Sequence, residues 1–423
     1  MSAAPSLQQI VSCLSDYDPD AVPIALAQSI IERSVQPVAA IESLTIRAAL
    51  GRVLAHDVVS ASDVPAHDNS AMDGFAVCWS NLATIGDSRC RIAGKALAGV
   101  PYRGRVAAGE AIRVMTGAVM PDGLDTVVAQ EFVREEAGEV IIPAGQVHGQ
   151  HRRLRGEDLA AGSAALAAGK ILTPADLGLL ASLGIAEVPI RRRLRVAFFS
   201  TGDELRSVGQ PLDTGAIYDS NRYTIFGMLQ RLGVEPIDMG VVDDNPAALE
   251  AAMLGASEHA DAIISTGGVS VGEADFTRQV MAKVGDVAFW KIAMRPGRPM
   301  AFGHVGRALY FGLPGNPVAV MVTFYFFARE ALLRMMGAHR VPVPLLKASS
   351  AAPIRKKAGR TEYQRGILSF ADDGSAQVAV TGQQGSGVLR SMSEANCMIV
   401  LHHGQGSVKA GEPVDVLLFE GLI

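Results

Sequence analysis

The sequence predicts a multidomain chain that combines one α/β domain with β-rich domains. At 423 residues the chain is longer than one ordinary domain, and its 49% hydrophobic and 19% charged residues are normal for a globular protein. Strand-like runs alternate with helical patterns from residue 194 onward, which is typical of a doubly wound, largely parallel sheet. Short strand-like runs separated by Gly, Pro and Asp fill two further segments.

The sequence predicts a helical and extended linking domain that is made of two segments, residues 1–61 and 159–190. Apolar residues recur at helical spacing over residues 24–35. A second helix follows Thr173, which is a good N-cap before a proline at the first turn.

Three further domains are predicted from changes along the chain in the spacing of apolar runs and turn residues. Residues 62–158 predict a β-rich domain, because their apolar runs are short and split by turn residues. Residues 191–340 carry the strand–helix alternation of the α/β domain. After the stiff Val-Pro-Val-Pro linker at 341–344, residues 341–423 again show short strands and Gly turns, which predicts a small β-barrel.

The overall composition favours a cytoplasmic protein that binds neither nucleic acid nor membrane. The net charge is −5 and the pI is about 6.0, which argues against a nucleic-acid-binding chain. The longest apolar run, residues 317–328, is shorter than the roughly 18 residues of a membrane span. No signal peptide is visible, and the four cysteines form no CxxC pair, as expected in a reducing compartment.

Two glycine-rich loops follow apolar strand-like runs and predict a phosphate-binding pocket. The run at 262–266 leads into Gly267 and Gly268, and the run at 309–313 leads into Pro314, Gly315 and Asn316. Ligands of an open α/β sheet bind beyond the carboxyl ends of its strands. Glycines there let the main chain approach an anion.

Three acidic positions follow three different predicted strands: Glu204, the Asp243–Asp244 pair and Asp275. In a parallel sheet they project from the same edge, where carboxylates beside phosphate oxygens are the usual ligands of Mg²⁺. The alternative for each residue is helix capping, which acidic side chains at strand-to-helix turns often provide. No His or Cys set has metal-ligand spacing, and no hydrolase motif or Walker lysine is present.

A cationic segment surrounds a Pro-Gly turn and predicts an oxyanion site. Lys291, Arg295 and Arg298 flank Pro296, and such cations bind a phosphate or a tetrahedral oxyanion. The alternative is a salt-bridged surface turn. Arg365 and Ser386 belong to a second polar group near the C-terminus, which alone would carry no functional interpretation.

Taken together, the motifs resemble those of the molybdopterin molybdenumtransferase family, whose eukaryotic relative is the E domain of gephyrin. The segment at 68–74 (DNSAMDG) joined to the Gly-Gly-Val-Ser loop at 267–270 is the most specific pairing. The likeness covers nearly the whole chain, in the order that the family uses. It extends through these further segments: 63–65, 115–118, 155–158, 200–205, 219–221, 291–299 and 313–317.

The resemblance implies a Mg²⁺-dependent enzyme that inserts molybdenum from molybdate into adenylylated molybdopterin and releases AMP. It implies an elongated homodimer with the active site between subunits. One subunit would contribute its molybdopterin-binding α/β domain, and the other would contribute its β-rich domain. Transient contacts with the molybdopterin adenylyltransferase and with molybdoenzyme apoproteins are also expected.

The resemblance also assigns roles to single residues. The catalytic set it implies is Asp73, Glu204, Asp244 and Asp275, of which the last three would bind the metal. The face presented by the partner subunit would be Asp73, Thr116 and Arg153, and the molybdate cluster would be Lys291, Arg295, Pro296, Arg365 and Ser386. The other substrate-binding positions are Asp68, Ser70, Thr201, Gly202, Ser220, Asn221, Gly267, Gly268, Ser270, Pro314, Gly315 and Asn316.

Two departures from the family pattern and three other interpretations accompany this assignment. Arg295 and Arg298 stand where many members have Lys, which keeps the charge but changes the donor geometry. His67 replaces a common Phe. The alternatives are an adenylyltransferase that makes the adenylylated pterin, a non-enzymatic scaffold, and tungstate as the oxyanion. A stand-alone adenylyltransferase would need little more than residues 191–340.

Overall fold

The computed structural model describes residue 7 and residues 18–268, 274–340 and 342–419, without the side chains of residues 274–276, 278 and 289. These residues form two compact units. The larger unit comprises Met1–Glu42, Gly51–Ala55 and Pro189–Ile423, and the smaller comprises Ser43–Leu50 and His56–Val188.

The helices of the described chain are α1 (Ile24–Ser34), α2 (Pro174–Ser182), α3 (Ser220–Leu232), α4 (Pro246–His259), α5 (Ala274–Val284), α6 (Pro317–Thr323), α7 (Arg329–Met335) and α8 (Arg390–Glu394). A π-helical turn at Phe324–Ala328 joins α6 to α7, and two short 3₁₀ helices lie at Trp79–Asn81 and Gln130–Phe132.

The strands up to the α/β sheet are β1 (Ile41–Thr45), β2 (Val58–Val59), β3 (Asn69–Ser70), β4 (Gly74–Val77), β5 (Ser88–Ala96), β6 (Glu110–Val114), β7 (Thr126–Ala129), β8 (Arg134–Glu136), β9 (Glu139–Ile142), β10 (Arg152–Arg153), β11 (Ala164–Leu166) and β12 (Glu187–Arg191). The remaining strands are β13 (Arg195–Thr201), β14 (Leu205–Arg206), β15 (Ile217–Tyr218), β16 (Glu235–Val242), β17 (Ala262–Thr266), β18 (Gly285–Lys291), β19 (Met294–Arg295), β20 (Pro299–Val305), β21 (Ala308–Leu313), β22 (Leu346–Ser350), β23 (Thr361–Phe370), β24 (Ala376–Val380), β25 (Cys397–Leu401) and β26 (Pro413–Leu418).

A six-stranded sheet in the order β16-β13-β17-β21-β20-β18 forms the α/β domain. The first four strands are parallel, as the sequence predicts, whereas β20 runs in the opposite direction and pairs antiparallel with both β21 and β18. Successive side chains of a strand point to opposite faces. In β13, Phe198 therefore packs with helices α1, α3 and α7 on one face, and Phe199 packs with α4 and α5 on the other. This double covering confirms the doubly wound prediction.

Helix α1 contributes to the core of the α/β domain. Ile30 and Ile31 are buried in the same cluster as Phe198 and Phe311. The apolar spacing that predicts the helix therefore also identifies the face that it buries. The boundaries of the linking domain, to which the sequence assigns this helix, stay a prediction.

The C-terminal strands close into a small barrel. The order β23-β24-β22-β26-β25 returns to β23 through a direct β23–β25 pairing, and β19 adds to β23 from the α/β side. Val378, Ile399 and Val416 are completely buried inside it. A closed barrel has no free edge strand, so the predicted barrel is confirmed.

The smaller unit is rich in β-structure, also as predicted. Its main sheet has the order β7-β4-β6-β5-β9-β8, in which only the β5–β6 pair is parallel. Two apolar clusters cover its faces, one around Ile112 and one around Phe75. Among all the described helices, none is both long and apolar enough to cross a membrane.

We predict that Phe311→Ala lowers the free energy of unfolding by about 3–5 kcal/mol, because it leaves a cavity in the centre of the sheet. Phe311 is fully buried, and its ring lies 5.3 Å from that of Phe302. Chemical denaturation followed by circular dichroism measures the change. The matched control is Phe370→Ala, whose side chain is 69% exposed and whose loss should cost less than about 0.5 kcal/mol. Equal losses for the two variants would contradict the core assignment.

Candidate functional site

The parallel strands β13, β17 and β21 end at one edge of the sheet. Ser200 pairs with Thr266, and Thr266 pairs with Leu313, so the three turns that follow are neighbours. These turns contain most of the residues that the sequence predicts for phosphate binding. The parallel register thus brings together the two glycine-rich segments and the turn at Thr201.

The glycines at this edge are required by close packing of the main chain. Gly267 has a φ of +92°, and a Cβ there would lie 2.2 Å from the carbonyl oxygen of Thr201. Gly268 has a φ of +64°, and its Cβ would lie 2.7 Å from Oγ1 of Thr277. Any other residue would push the turn away from β13. Ser270, the next predicted position, lies outside the described residues.

Asn221 ties the second glycine turn to the first. Its Nδ2 donates to Oγ1 of Thr266 at 3.0 Å and to the carbonyl oxygen of Gly315 at 2.6 Å. Thr266 Oγ1 in turn donates to the carbonyl oxygen of Pro314 at 2.8 Å. Within the part of the chain that the structure describes, Oδ1 of Asn221 and Oγ1 of Thr277 are buried and make no hydrogen bond. The edge therefore keeps unsatisfied polar groups, which is typical of a binding site.

Asp219 is a residue of this site that the sequence reasoning did not select. It is buried, caps α3 by accepting from the Arg222 N–H at 3.2 Å, and accepts from Ser200 Oγ at 2.9 Å. It thereby fixes the first turn of α3, which presents Ser220 and Asn221. An Asp before a helical pattern is the N-cap signal that could have identified it.

Two of the three predicted metal-binding carboxylates lie around the turn after β13. Oε2 of Glu204 would be 2.7 Å from a Cβ on Gly202, and Oδ1 of Asp244 accepts from Thr201 Oγ1 at 3.4 Å. Asp275 lies in the first turn of α5, but its side chain is outside the described set. Across residues 18–268, 274–340 and 342–419, no three His, Cys, Asp or Glu side chains already form a metal cluster. The two carboxylates are nevertheless hard oxygen donors of the kind that Mg²⁺ prefers, so the donor set fits this ion.

The predicted oxyanion cluster is partly assembled. Arg295, Pro296 and Arg365 line one cavity of about 270 Å³ between the α/β domain and the barrel, together with Arg355 and Gln384. Lys291 and Ser386 are not among the described residues that line it. Lys291 Nζ instead pairs with a carboxylate oxygen of Asp20 at 2.6 Å.

Ser386 lies close to the glycine turn after β21. Its carbonyl oxygen accepts a hydrogen bond from Val318 N–H, at the start of α6, at 3.0 Å. Asn316, the predicted substrate-binding residue that precedes α6, has its Oδ1 3.7 Å from the position of a Cβ on Gly387. The loop that carries Ser386 is thus in contact with the Pro314–Pro317 turn.

Arg365 is almost completely buried, and its guanidinium contacts main-chain oxygens. Burial, with the positive charge of Arg295 nearby, lowers the pKa of Arg365 to about 10, so it stays charged at neutral pH. Nη2 donates to the carbonyl oxygens of Gly385 at 2.9 Å and Gln383 at 3.3 Å, and Nη1 donates to that of Gln384 at 3.3 Å.

In the smaller unit, the predicted residues form local networks. The main-chain N–H and Oγ1 of Thr116 donate to Asp73 at 2.7 and 2.8 Å, and these hydrogen bonds hold the pKa of Asp73 below its usual range. Asp68 accepts from the Arg155 N–H at 2.7 Å and from Arg152, which lowers its pKa in the same way.

Two more predicted residues lie beside those networks. Ser70 is buried, and its hydroxyl donates to the carbonyl oxygen of Met72 at 2.5 Å. Arg153 is exposed and pairs with Asn69 across the β3–β10 ladder. Asp73, Ser70 and Arg153 therefore all belong to the part of the smaller unit that the DNSAMDG segment builds.

Comparison with known proteins identifies the fold and the family. Three family models match in order: the MoeA N-terminal region (domain I and II) at residues 22–184, the probable molybdopterin binding domain at 197–334, and the MoeA C-terminal region (domain IV) at 347–419. A molybdopterin molybdenumtransferase of Haemophilus influenzae is 43% identical over 384 residues, covering 90% of this chain and 95% of that protein. One of Nostoc is 37% identical, covering 89% and 88%.

A solved structure agrees with these relatives. The molybdopterin biosynthesis MoeA protein of Pyrococcus horikoshii has a TM-score of 0.77 at 29% identity, and the alignment covers 95% of this chain and 99% of that one. The chain therefore belongs to the MoeA family of molybdopterin molybdenumtransferases. It is an enzyme of molybdenum cofactor biosynthesis with a molybdopterin-binding α/β domain.

We predict that Gly267→Ala destabilises the protein by at least about 2 kcal/mol, because a Cβ would combine backbone strain with a clash at Thr201. Thermal unfolding monitored by circular dichroism measures the loss. Gly255→Ala is the matched control, since Gly255 lies within helix α4 with open space around its Cβ position. That change should leave stability equal or slightly higher. A Gly267→Ala protein as stable as the control would show that the turn does not need its close approach to β13.

Proposed function

We propose that this chain inserts molybdenum from molybdate into adenylylated molybdopterin, with release of AMP and with Mg²⁺ as cofactor. The observation that carries the proposal is the contact between the loop of Ser386 and the turn at Asn316. This contact supports a site in which the proposed oxyanion cluster lies beside the sheet edge that is proposed to bind phosphate. A reaction that joins an oxyanion to a phosphorylated pterin needs these two sites side by side.

The sheet edge where β13, β17 and β21 end is suited to bind the pyrophosphate link between the pterin and AMP. The turns of Gly267 and Gly315 lie against each other at this edge, and Asn221 and Ser220 stand at the N-terminus of α3. The partial positive charge of that helix end favours an anion. Here the chain's own role is to bind and orient the link so that water reaches the phosphoanhydride and AMP leaves.

Glu204 and Asp244, together with Asp275, would hold the Mg²⁺ ion. When bound, the ion neutralises part of the charge on the pyrophosphate link. Thr201 contributes by holding Asp244 in place through its hydroxyl group, at 3.4 Å. Gly202 allows the carboxylate of Glu204 to lie over the turn.

The cluster of Lys291, Arg295, Pro296, Arg365 and Ser386 is proposed to receive molybdate. Arg295 is exposed and, among the described residues, forms no ion pair, so its guanidinium is free to meet an oxyanion. The ion pair of Lys291 with Asp20 would have to open for Lys291 to take part directly. Tungstate has nearly the same size and charge as molybdate and would occupy the same cluster.

We further propose a homodimer in which Asp73, Thr116 and Arg153 of one subunit complete the site of the other. The supporting observation is that Asp73 is held ionised and oriented by Thr116 on the surface of the smaller unit, without a cationic partner among the described residues. The adenylyltransferase and the molybdoenzyme apoproteins are proposed as transient partners. The cytoplasm is the proposed compartment, in line with three free cysteines, Cys78, Cys90 and Cys397, among the described residues.

The direct test is AMP release from adenylylated molybdopterin, measured with and without molybdate and Mg²⁺. Wild type should release AMP only when both are present. Asp244→Asn should lower the rate at least about a hundredfold, because it removes a negative charge from the Mg²⁺ site. Asp372→Asn, an exposed carboxylate in the turn between β23 and β24, removes the same charge elsewhere and should leave the rate unchanged.

Other outcomes of that assay favour the other interpretations. Synthesis of the adenylylated pterin from ATP, without molybdate-dependent release, would indicate an adenylyltransferase. Failure to turn over substrate despite bound pterin would contradict the transferase proposal and favour a scaffold.

The shared active site has its own prediction. Asp73→Asn and Asp244→Asn should each inactivate a homodimer, whereas a mixed dimer carries one site with both changes and one with neither. Mixed dimers, purified through two different affinity tags, should therefore recover about half of the wild-type rate. No recovery would place Asp73 and Asp244 in the site of the same subunit.

A further inference from the structure

Residues 18–22 lie along the main chain of Lys291. The Lys291 N–H donates to the carbonyl oxygen of Pro19 at 2.7 Å, and the Lys291 carbonyl oxygen accepts from the Val22 N–H at 3.1 Å. Val22 also forms a parallel bridge with Ile292, and both of these side chains are completely buried. Main-chain hydrogen bonds and apolar burial therefore hold residues 18–22 beside the cationic segment.

A β-turn fixes the position of Asp20 in this stretch of chain. The Ala21 N–H donates to the carbonyl oxygen of Asp18 at 3.2 Å, which closes the turn. Pro19 stands at its second position, where the fixed φ of proline is favoured. Oδ1 of Asp18 also accepts from the Asp20 N–H at 2.9 Å. The turn thus determines where the carboxylate of Asp20 can reach.

Asp20 is a counter-ion of Lys291. Its Oδ1 lies 2.6 Å from the Lys291 Nζ. Lys291 belongs to the segment on which the family resemblance rests, whereas Asp20 precedes residue 22, where the match to the MoeA N-terminal region begins. The ion pair therefore joins a predicted site residue to a carboxylate that the family model does not cover.

This ion pair is accessible to solvent and can exchange one anion for another. The side chain of Asp20 is 69% exposed and that of Lys291 is 36% exposed. An ion pair with such exposure contributes little to stability, because water screens both charges. The ammonium group lies at the end of a flexible four-carbon chain, so it can move while the main-chain hydrogen bonds of Lys291 stay in place. An anion that binds Lys291 then has to displace the carboxylate of Asp20.

We propose that Asp20 sets the affinity of the site for its oxyanion substrate, because its carboxylate competes with that substrate for the ammonium group of Lys291. This proposal rests on the proposed function, since it takes molybdate to be the anion that Lys291 binds. While the site is empty, Asp20 offsets the charge of Lys291. When molybdate arrives, the ion pair opens and the ammonium group turns to the substrate.

The competition acts on substrate binding and leaves the chemical step unchanged. Lys291 holds molybdate in the ground state and in the transition state alike, so the loss of Asp20 changes the KM and not the kcat. The size of the effect follows from the strength of an exposed ion pair, which corresponds to about a threefold change in a binding constant.

The test removes the competing charge with Asp20→Asn. The readout is the KM for molybdate in AMP release, at saturating adenylylated molybdopterin and Mg²⁺. We expect a molybdate KM about threefold lower than that of wild type, with an unchanged kcat. Asp20→Glu keeps the carboxylate and should keep the wild-type KM. A wild-type or higher KM in Asp20→Asn, or an equally low KM in Asp20→Glu, would overturn the proposal.

The matched control is Asp18→Asn, which removes the same charge from the same turn. An amide oxygen at this position can still accept from the Asp20 N–H, so the turn is kept and the molybdate KM should stay at the wild-type value. An equal fall in both variants would attribute the effect to the net charge of the segment and contradict the proposal. The KM ratio of wild type to Asp20→Asn should also fall toward one in about 1 M salt, which screens an exposed ion pair. A ratio that does not respond to salt would indicate a purely structural effect and overturn the proposal.

Isothermal titration calorimetry with molybdate separates this proposal from the proposed function. If wild type binds molybdate but releases no AMP, the proposed function fails, and a molybdate Kd about threefold lower in Asp20→Asn still supports the role of Asp20. If wild type is active and Asp20→Asn keeps its Kd and KM, only the proposal for Asp20 fails. If wild type neither binds molybdate nor releases AMP, both fail.

Discussion

The parallel register of β13, β17 and β21 is the constraint on which the site depends. It brings three turns of distant sequence to one edge, where Gly267 is in direct contact with the main chain of Thr201. The helices that cover both faces of the sheet bury Phe198, Phe199 and Phe311, and this burial holds the strands in register. A shift of one residue would exchange the two faces and separate the turns.

The barrel is attached to this edge by main-chain contacts. Strand β19 leaves the α/β domain and pairs with β23, so Arg295 and Arg365 come to one cavity. The main-chain N–H of Val318 also donates a hydrogen bond to the carbonyl oxygen of Ser386. The cationic cluster is therefore built from both domains of the larger unit, and neither domain alone would form it.

Much of the fold can be predicted from the sequence pattern, because a helix or strand that is buried on one or both faces has apolar residues at a regular spacing. The alternation after residue 194 predicts the α/β sheet, and the short runs after residue 345 predict the barrel. The antiparallel strand β20 was not predicted, since its Pro-Met-Ala-Phe-Gly run lies directly after a turn and has little alternation. Strand direction depends on pairing partners, which a single segment does not reveal.

For the candidate site, the sequence could predict which types of residue take part but not which contacts they make. The glycines and the carboxylates follow from their positions after strands. The ion pair of Lys291 with Asp20 joins residues far apart in the chain, and neither sequence neighbourhood signals it. The guanidinium of Arg365 contacts carbonyl oxygens, which every residue has, so no side-chain pattern in the sequence predicts these contacts. The roles assigned to all the site residues stay predictions, and Ser270 and the Asp275 side chain lie outside the described set.

Anomalous diffraction at the molybdenum edge, from crystals containing molybdate and AMP, tests the account most directly. We expect the molybdenum peak at the cluster of Arg295, Arg365 and Ser386, with the AMP phosphate at the Gly267 and Gly315 turns. A single site would then join the barrel loop to the sheet edge. A molybdenum peak outside that cluster, or one remote from AMP, would contradict the account.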